Sequence, residues 1–209
     1  METRQLVIRR LQRDDLEAVA AVHLGAFSTS ILTKLGKEAV YRYYRWLLEG
    51  PHETYVIGAS VDGELAGFLF GGIAPDAIPG FLRDNRWLLT KSLLRRPWMV
   101  RDPLFADRLG RTLRMLAPKR AARATASPPN ARKRPFDVIS VAVDPRFQGE
   151  GIGKRLMGAA ESLARSHGFH VMTLVVHGEN HQAVGFYEAL GWQKLHRGGR
   201  WSGNMELWF

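Results

Sequence analysis

The sequence predicts an α+β fold with a mixed central sheet flanked by helices. Three observations predict it. Apolar residues recur at helical spacing ahead of Gly50, and two strand-like apolar runs flank Asp62-Gly63. From Phe136 onward, an apolar run, a glycine-rich loop and an amphipathic stretch follow one another without a break.

Taken in order, Leu6–Arg9 alternates as a short strand, with Val7 and Arg9 opposed to Leu6 and Ile8. Asp14-Asp15 opens a helix that carries Leu16, Val19, Ala20, His23, Leu24 and Phe27 along one side. A second helix follows Gly36, with Val40, Tyr43, Tyr44 and Leu47 as its stripe, and stops at Gly50-Pro51. Tyr55–Ala59 and Leu65–Gly71 read as strands joined through Asp62-Gly63, a strong signal for a tight hairpin. Phe136–Val143 is the central strand. Ile152, Leu156, Ala160 and Leu163 then form the apolar face of a helix closed by Gly168. Val171–Val176 is another buried strand, a helix containing Tyr187 follows, and Gly203–Phe209 is a last strand. The order is β-α-α-β-β-[insert]-β-α-β-α-β-β, read as a single domain over 1–209 with an insert at about 76–134.

Composition sets the limits. A chain of 209 residues that is 45% hydrophobic can bury a sizeable core. The absence of cysteine removes disulfides, thiolate metal sites and a cysteine nucleophile. The start, METRQLVIRRLQRDD, has no apolar signal-peptide segment, and the longest apolar run, Leu65–Ala74, ends at Pro75-Asp76, short of a membrane span. The expected setting is cytoplasmic.

Charge is segregated. Residues 83–134 hold 15 Lys/Arg against 3 Asp/Glu, a net of +12, while the whole chain is +10, so the remainder sums to −2. The same stretch is apolar: Leu109, Leu113 and Leu116 share a helical face, and Pro97 and Pro103 break it into short helices. Ala117–Pro135, with Ser127-Pro128-Pro129-Asn130, reads as an exposed linker. Three readings stay open. The insert is a packed helical lid with a solvated arginine face, a peripheral contact to anionic lipid through residues 83–116, or a surface for an acidic partner; nothing supports base reading by a nucleic-acid binder.

The densest chemistry lies in Val141–Leu156, VAVDPRFQGEGIGKRL. Gly149, Gly151 and Gly153 alternate ahead of a helix whose first turn carries Lys154 and Arg155. Backbone N–H groups, a helix N-terminus and two cations in one place suit a phosphate or pyrophosphate. A nucleotide-hydrolase loop would need Ser or Thr where Arg155 stands. A dinucleotide fingerprint would need glycine at Lys154 or Leu156. The pattern that fits is [Q/R]-x-x-G-x-[G/A], filled by Gln148, Gly151 and Gly153. Roughly thirty residues on, Asn180-His-Gln-Ala183-Val-Gly-Phe186-Tyr187-Glu-Ala-Leu190-Gly191-Trp192 fits N-x-x-A-x-x-F-Y-x-x-x-G-[FW]. With both motifs in this order, the chain resembles the GNAT superfamily of acyl-CoA N-acyltransferases.

The resemblance implies a mostly antiparallel GNAT-like sheet, with the basic helical insertion before the central strand, and acetyl-CoA as co-substrate without a metal. It implies that Gln148, Gly149, Gly151, Ile152, Gly153 and Lys154 grip the pyrophosphate, that the backbone of Val141 and Val143 meets the pantetheine arm, and that Asn180 contacts the cofactor. Tyr187 is then the group near the sulfur and the candidate acid. Asp137, six residues before Val143 where several family members carry a glutamate, is the candidate base, with His177 and Glu64 as further candidates. The implied activity is direct transfer of an acetyl group to a primary amine on a small or carrier-linked acceptor. A CoA-binding module without turnover and a membrane-surface adaptor remain alternatives, as do a monomer and a homodimer.

Overall fold

The structure is a computed structural model that describes residues 5–75, 77–94, 134–197 and 199–209. In chain order its elements are β1 (Leu6–Arg10), α1 (Leu16–Ala26), α2 (Ile31–Leu35), α3 (Lys37–Glu49), β2 (Glu53–Val61) and β3 (Glu64–Ile73). Then come α4 (Ala77–Asp84), α5 (Arg86–Leu94), β4 (Phe136–Val143), α6 (Ile152–Ser166), β5 (Val171–Val175), α7 (His181–Ala189), β6 (Gln193–Arg197) and β7 (Arg200–Trp208). The strands form one sheet in the order β1-β2-β3-β4-β5-β7-β6, and every neighbouring pair is antiparallel except β4 with β5.

Local chemistry explains the frame. Asp62 (φ 49°) and Gly63 (φ 87°) both take left-handed backbone, as a two-residue hairpin with the native twist requires. The Asp62 side chain accepts from the Gln5 backbone N–H at 3.0 Å and so fastens the start of β1 beside the turn. Glycine at 71 serves close packing instead, because a Cβ there would run into the ring of Phe136 on the neighbouring strand.

Two apolar layers sandwich the sheet. Leu69, Phe136, Met172 and Trp192 meet Ile152, Leu156 and Ala160 of α6 on one face. Phe68, Phe70 and Ala142 meet Leu16, Val19 and Ala20 of α1 and Val40, Tyr44 and Leu47 of α3 on the other. The stripes expected on the first two long helices are therefore the buried ones. A short helix was not expected between them: α2 occupies the Phe27–Gly36 junction, where the Ser30 hydroxyl caps it by accepting from Thr33 N–H at 3.0 Å. The last strand starts earlier than expected, at Arg200, and β6 precedes it.

The first part of the insert is helical, as α4 and α5. The Trp46 indole of α3 donates to the Ala77 carbonyl at 2.9 Å and anchors α4. The expected breaks at Pro97 and Pro103, the Leu109–Leu113–Leu116 face and most of the linker Ala117–Pro135 lie outside the described residues. Among the described residues no helix is long and apolar enough to cross a membrane.

A buried polar chain crosses the α1–α3 side. His23 Nδ1 lies 2.8 Å from the Tyr44 hydroxyl, which lies 2.9 Å from the Ser140 hydroxyl of β4, and His23 Nε2 lies 3.3 Å from the Ser30 hydroxyl. Burial pushes the His23 pKa down to about 4, so the ring is neutral in this network at pH 7. The unfolded chain takes up a proton near pH 6.5 and the folded one only near 4. Stability present above pH 6.5 is therefore lost as the pH falls between those values, by roughly 3 kcal/mol if His23 acts alone. The paired carboxylates of Asp15 and Asp144 titrate below their ordinary 3.8 and so lie outside this window. Urea unfolding at pH 7.5, 6 and 4.5 is expected to show the decline, and His23→Gln is expected to flatten it.

Candidate active site at a split in the sheet

The site begins with a pairing that stops. β4 and β5 run parallel but pair only at Phe136–Met172 and Asp137–Thr173. Past those two rungs the strands diverge, and the edge of β4 from Val138 to Val143 faces β5 without a ladder. A bulge accompanies the divergence. Phe70 of β3 opposes Ser140 and Gly71 opposes Val138, so Ile139 is an extra residue in β4. Its effect is to place Ile139 and Ser140 both on the α1–α3 side, Ile139 in that apolar layer and Ser140 at Tyr44. Val141 and Val143 pack on the opposite face, against the α6–α7 layer.

The glycine loop lies at the open end of the split. Asp144 starts it by accepting from the Arg146 backbone N–H at 2.9 Å. The Arg146 guanidinium returns to Asp144 at 2.8 Å and reaches Glu64 at 2.5 Å. Gln148 donates its side-chain amide to the Val143 carbonyl at 3.2 Å, folding the loop back on the strand. Gly149 (φ 86°) and Gly151 (φ 76°) adopt left-handed backbone, and nothing lies within 4 Å of where a Cβ would stand on either. Glycine is there for its backbone angle, and the space above the loop is open to a ligand. Gly151 is the last residue before α6. Ile152 is buried and pins the helix start, while Lys154 is exposed in its first turn.

The two sequence motifs meet at Gly153. A Cβ on it would stand 3.3 Å from Phe186 of α7 and 3.8 Å from Val143 of β4. This small residue lets α7 close over the start of α6. Asn180 caps α7, its side-chain oxygen accepting from Ala183 N–H at 3.1 Å. The Tyr187 ring makes edge contacts with Phe186 and tilts against Trp192, at centroid distances of 5.2 and 5.9 Å. Burial pushes its hydroxyl up to about 12, so it keeps its proton at neutral pH.

Asp137 stands on the other face, at the apex of the split. It belongs to the last rung before the strands part and accepts a hydrogen bond from the Thr173 hydroxyl. The carboxylate forms part of the wall of a cavity of about 500 Å³ between α3, α4 and the ends of β4, β5 and β7. Desolvation raises its pKa above the ordinary carboxylate value, and the Thr173 hydrogen bond opposes that rise.

The sequence-derived residues thus fall into two groups on opposite faces. Gln148 to Lys154, Val141, Val143, Asn180 and Tyr187 gather around the loop and α7, and Asp137 faces the cavity. Glu64 lies on the loop side, ion-paired with Arg146 and away from Asp137, because it begins β3 at the end remote from Gly72, the partner of Asp137. His177 is exposed just past β5. The cavity residues Tyr43, Thr173 and Asn204 carry no local signal in the sequence. Cross-strand register delivers two of them: Thr173 opposite Asp137 and Asn204 opposite Val175.

Comparison with known proteins gives the family and the fold. The N-alpha-acetyltransferase RimI of Mycobacterium tuberculosis is 35% identical over 60 residues, which is 29% of this chain and 36% of that protein. An uncharacterised protein of Mycobacterium leprae is 32% identical over 60 residues, again 29% of this chain but 16% of its own length. The matched segment thus spans about a third of one relative and about a sixth of the other. In fold, the chain is similar to the PaiA N-acetyltransferase of Thermoplasma acidophilum, solved in complex with coenzyme A. The TM-score is 0.58 and the identity 16%, covering 98% of this chain and 99% of that one. The model of the acetyltransferase (GNAT) family matches residues 19–192, and the chain belongs to that family.

Proposed function

We propose that the protein is an N-acetyltransferase that moves an acetyl group from acetyl-CoA to a primary amine of a small or carrier-linked acceptor. The observation that supports this most is the split between β4 and β5, with the open glycine loop at one end and Asp137 at its apex.

The residues fit the donor. Positive-φ glycines under open space leave the loop's backbone accessible to a pyrophosphate, with Lys154 and the start of α6 supplying positive potential. The edge of β4 at Val141 and Val143, which makes no ladder with β5, is suited to the amides of a pantetheine arm, and Asn180 stands at the start of α7. Acetyl-CoA supplies an activated acyl carbon and a sulfur that departs. The chain's own residues manage protons. Asp137, acting directly or through a water, takes one proton from the acceptor ammonium, and the freed lone pair forms the C–N bond as the C–S bond breaks. Tyr187 holds the proton that the sulfur receives and regains one from solvent. Overall the ammonium gives up two protons, one ending on sulfur and one in water.

Three outcomes test this. Gly151→Ala is expected to lower coenzyme A affinity about tenfold by calorimetry. The left-handed backbone strains any side chain by roughly 1–2 kcal/mol, so Gly63→Ala, equally strained and remote from the loop, serves as control and should bind coenzyme A normally. Tyr187→Phe keeps the ring packing and is expected to reduce turnover by about ten- to a thousandfold with coenzyme A affinity unchanged. Asp137→Asn is expected to lose rate that returns in part as the pH rises and more free amine is present. A loss that is equal at every pH would assign Asp137 to holding the ammonium rather than deprotonating it.

A further inference from the structure

The cavity at Asp137 is chemically one-sided. The apolar side chains on its wall are Ile139 from β4, Val175 from β5 and Ile78 from α4, while Val138 and Leu174 turn their side chains into the α6–α7 layer. Asp137 is the only charged side chain in it among the described residues. Among the described residues no lysine, arginine or histidine lines it, and no second carboxylate. The remaining polar groups, Tyr43, Thr173 and Asn204, are neutral, and Thr173 is already committed to Asp137.

We infer that this cavity selects acceptors that carry one ammonium group on an apolar body, placing the ammonium at Asp137 and the body against Ile78, Ile139 and Val175. This rests on the acetyltransferase reading and narrows it. A single carboxylate pairs with a single cation. A second ammonium would face apolar wall and lose its hydration without a partner, so diamines and polyamines are disfavoured. A free amino acid would bring a carboxylate next to Asp137 itself, to a wall with no cation among the described residues. An apolar body gains instead, by covering surface that is otherwise wetted. A volume of about 500 Å³ accommodates an amine with an aromatic ring. The bulge contributes directly, because the extra residue Ile139 adds an apolar side chain to the wall near the carboxylate.

The experiment compares 2-phenylethylamine, n-butylamine, 1,4-diaminobutane, β-alanine and an alanine-led peptide as acceptors for the full chain with acetyl-CoA. Binding of each amine without acetyl-CoA is read from the amide chemical shifts of Ile139 and Leu174. The two monoamines are expected to exceed the diamine and β-alanine by about tenfold or more in kcat/KM and to bind in the same order. Ile78→Asp places a second carboxylate on an exposed helix position and is expected to shift the ratio of diamine to n-butylamine by about tenfold towards the diamine. Equal or better use of the diamine, use of the peptide alone, or an unchanged ratio in Ile78→Asp overturns the inference and leaves the transferase reading standing. Selective monoamine binding in a chain that transfers no acetyl group to any acceptor keeps the inference about the cavity and overturns the transferase reading.

Discussion

The Tyr44 hydroxyl, held between His23 and Ser140, fixes the geometry on which the site rests. An extra residue in a strand can be absorbed in several ways, and here Ser140 is turned towards the helices and given a buried partner there. The aromatic ring of Tyr44 packs against Phe68 and Phe70 of the adjoining strand, so its hydroxyl has little freedom to follow a different register. A slip that restored regular pairing would take this partner from the part-buried Ser140 hydroxyl and leave Tyr44 with His23 alone, at a cost of roughly 1–3 kcal/mol. The bulge is thus locked, and β4 leaves β5 at one defined rung.

Electrostatics is divided between the two faces. On the loop side, exposed backbone amides and Lys154 supply positive potential, and Arg146 pairs with both Asp144 and Glu64. On the cavity side a partly desolvated carboxylate has, among the described residues, a hydroxyl as its partner. A negatively charged ligand and a positively charged one are therefore attracted to different faces. The sheet between them keeps each away from the other's counter-charge except at the split.

Much of this was legible in the sequence because it is local. The glycine pattern before α6, the Asp62-Gly63 turn and the stripes of α1 and α3 depend on residues a few positions apart, and periodicity or backbone chemistry reveals them. The Asn180–Trp192 motif announced α7 for the same reason. What stayed hidden depends on partners far apart in the chain. The bulge at Ile139 is a mismatch of register with β3, and Val138-Ile139-Ser140 alone does not mark it. Tyr44 reads as one more apolar stripe residue until Ser140, far along the chain, meets it. Thr173 and Asn204 are ordinary strand residues until β5 and β7 align them beside Asp137. Glu64 is a further acidic candidate in the sequence, and strand direction carries it to the opposite end of β3 from Gly72, the partner of Asp137.

The contact of Gly153 with Phe186 and Val143 has a bearing on how such a protein can change over time. It ties loop, helix and central strand into one unit in which no member can vary by itself. The cavity wall opposite is assembled from α4 and from strand ends that share none of those contacts. One side of the molecule is therefore constrained as a block while the other can be resurfaced residue by residue, so new specificities can arise without rebuilding the part that stays the same.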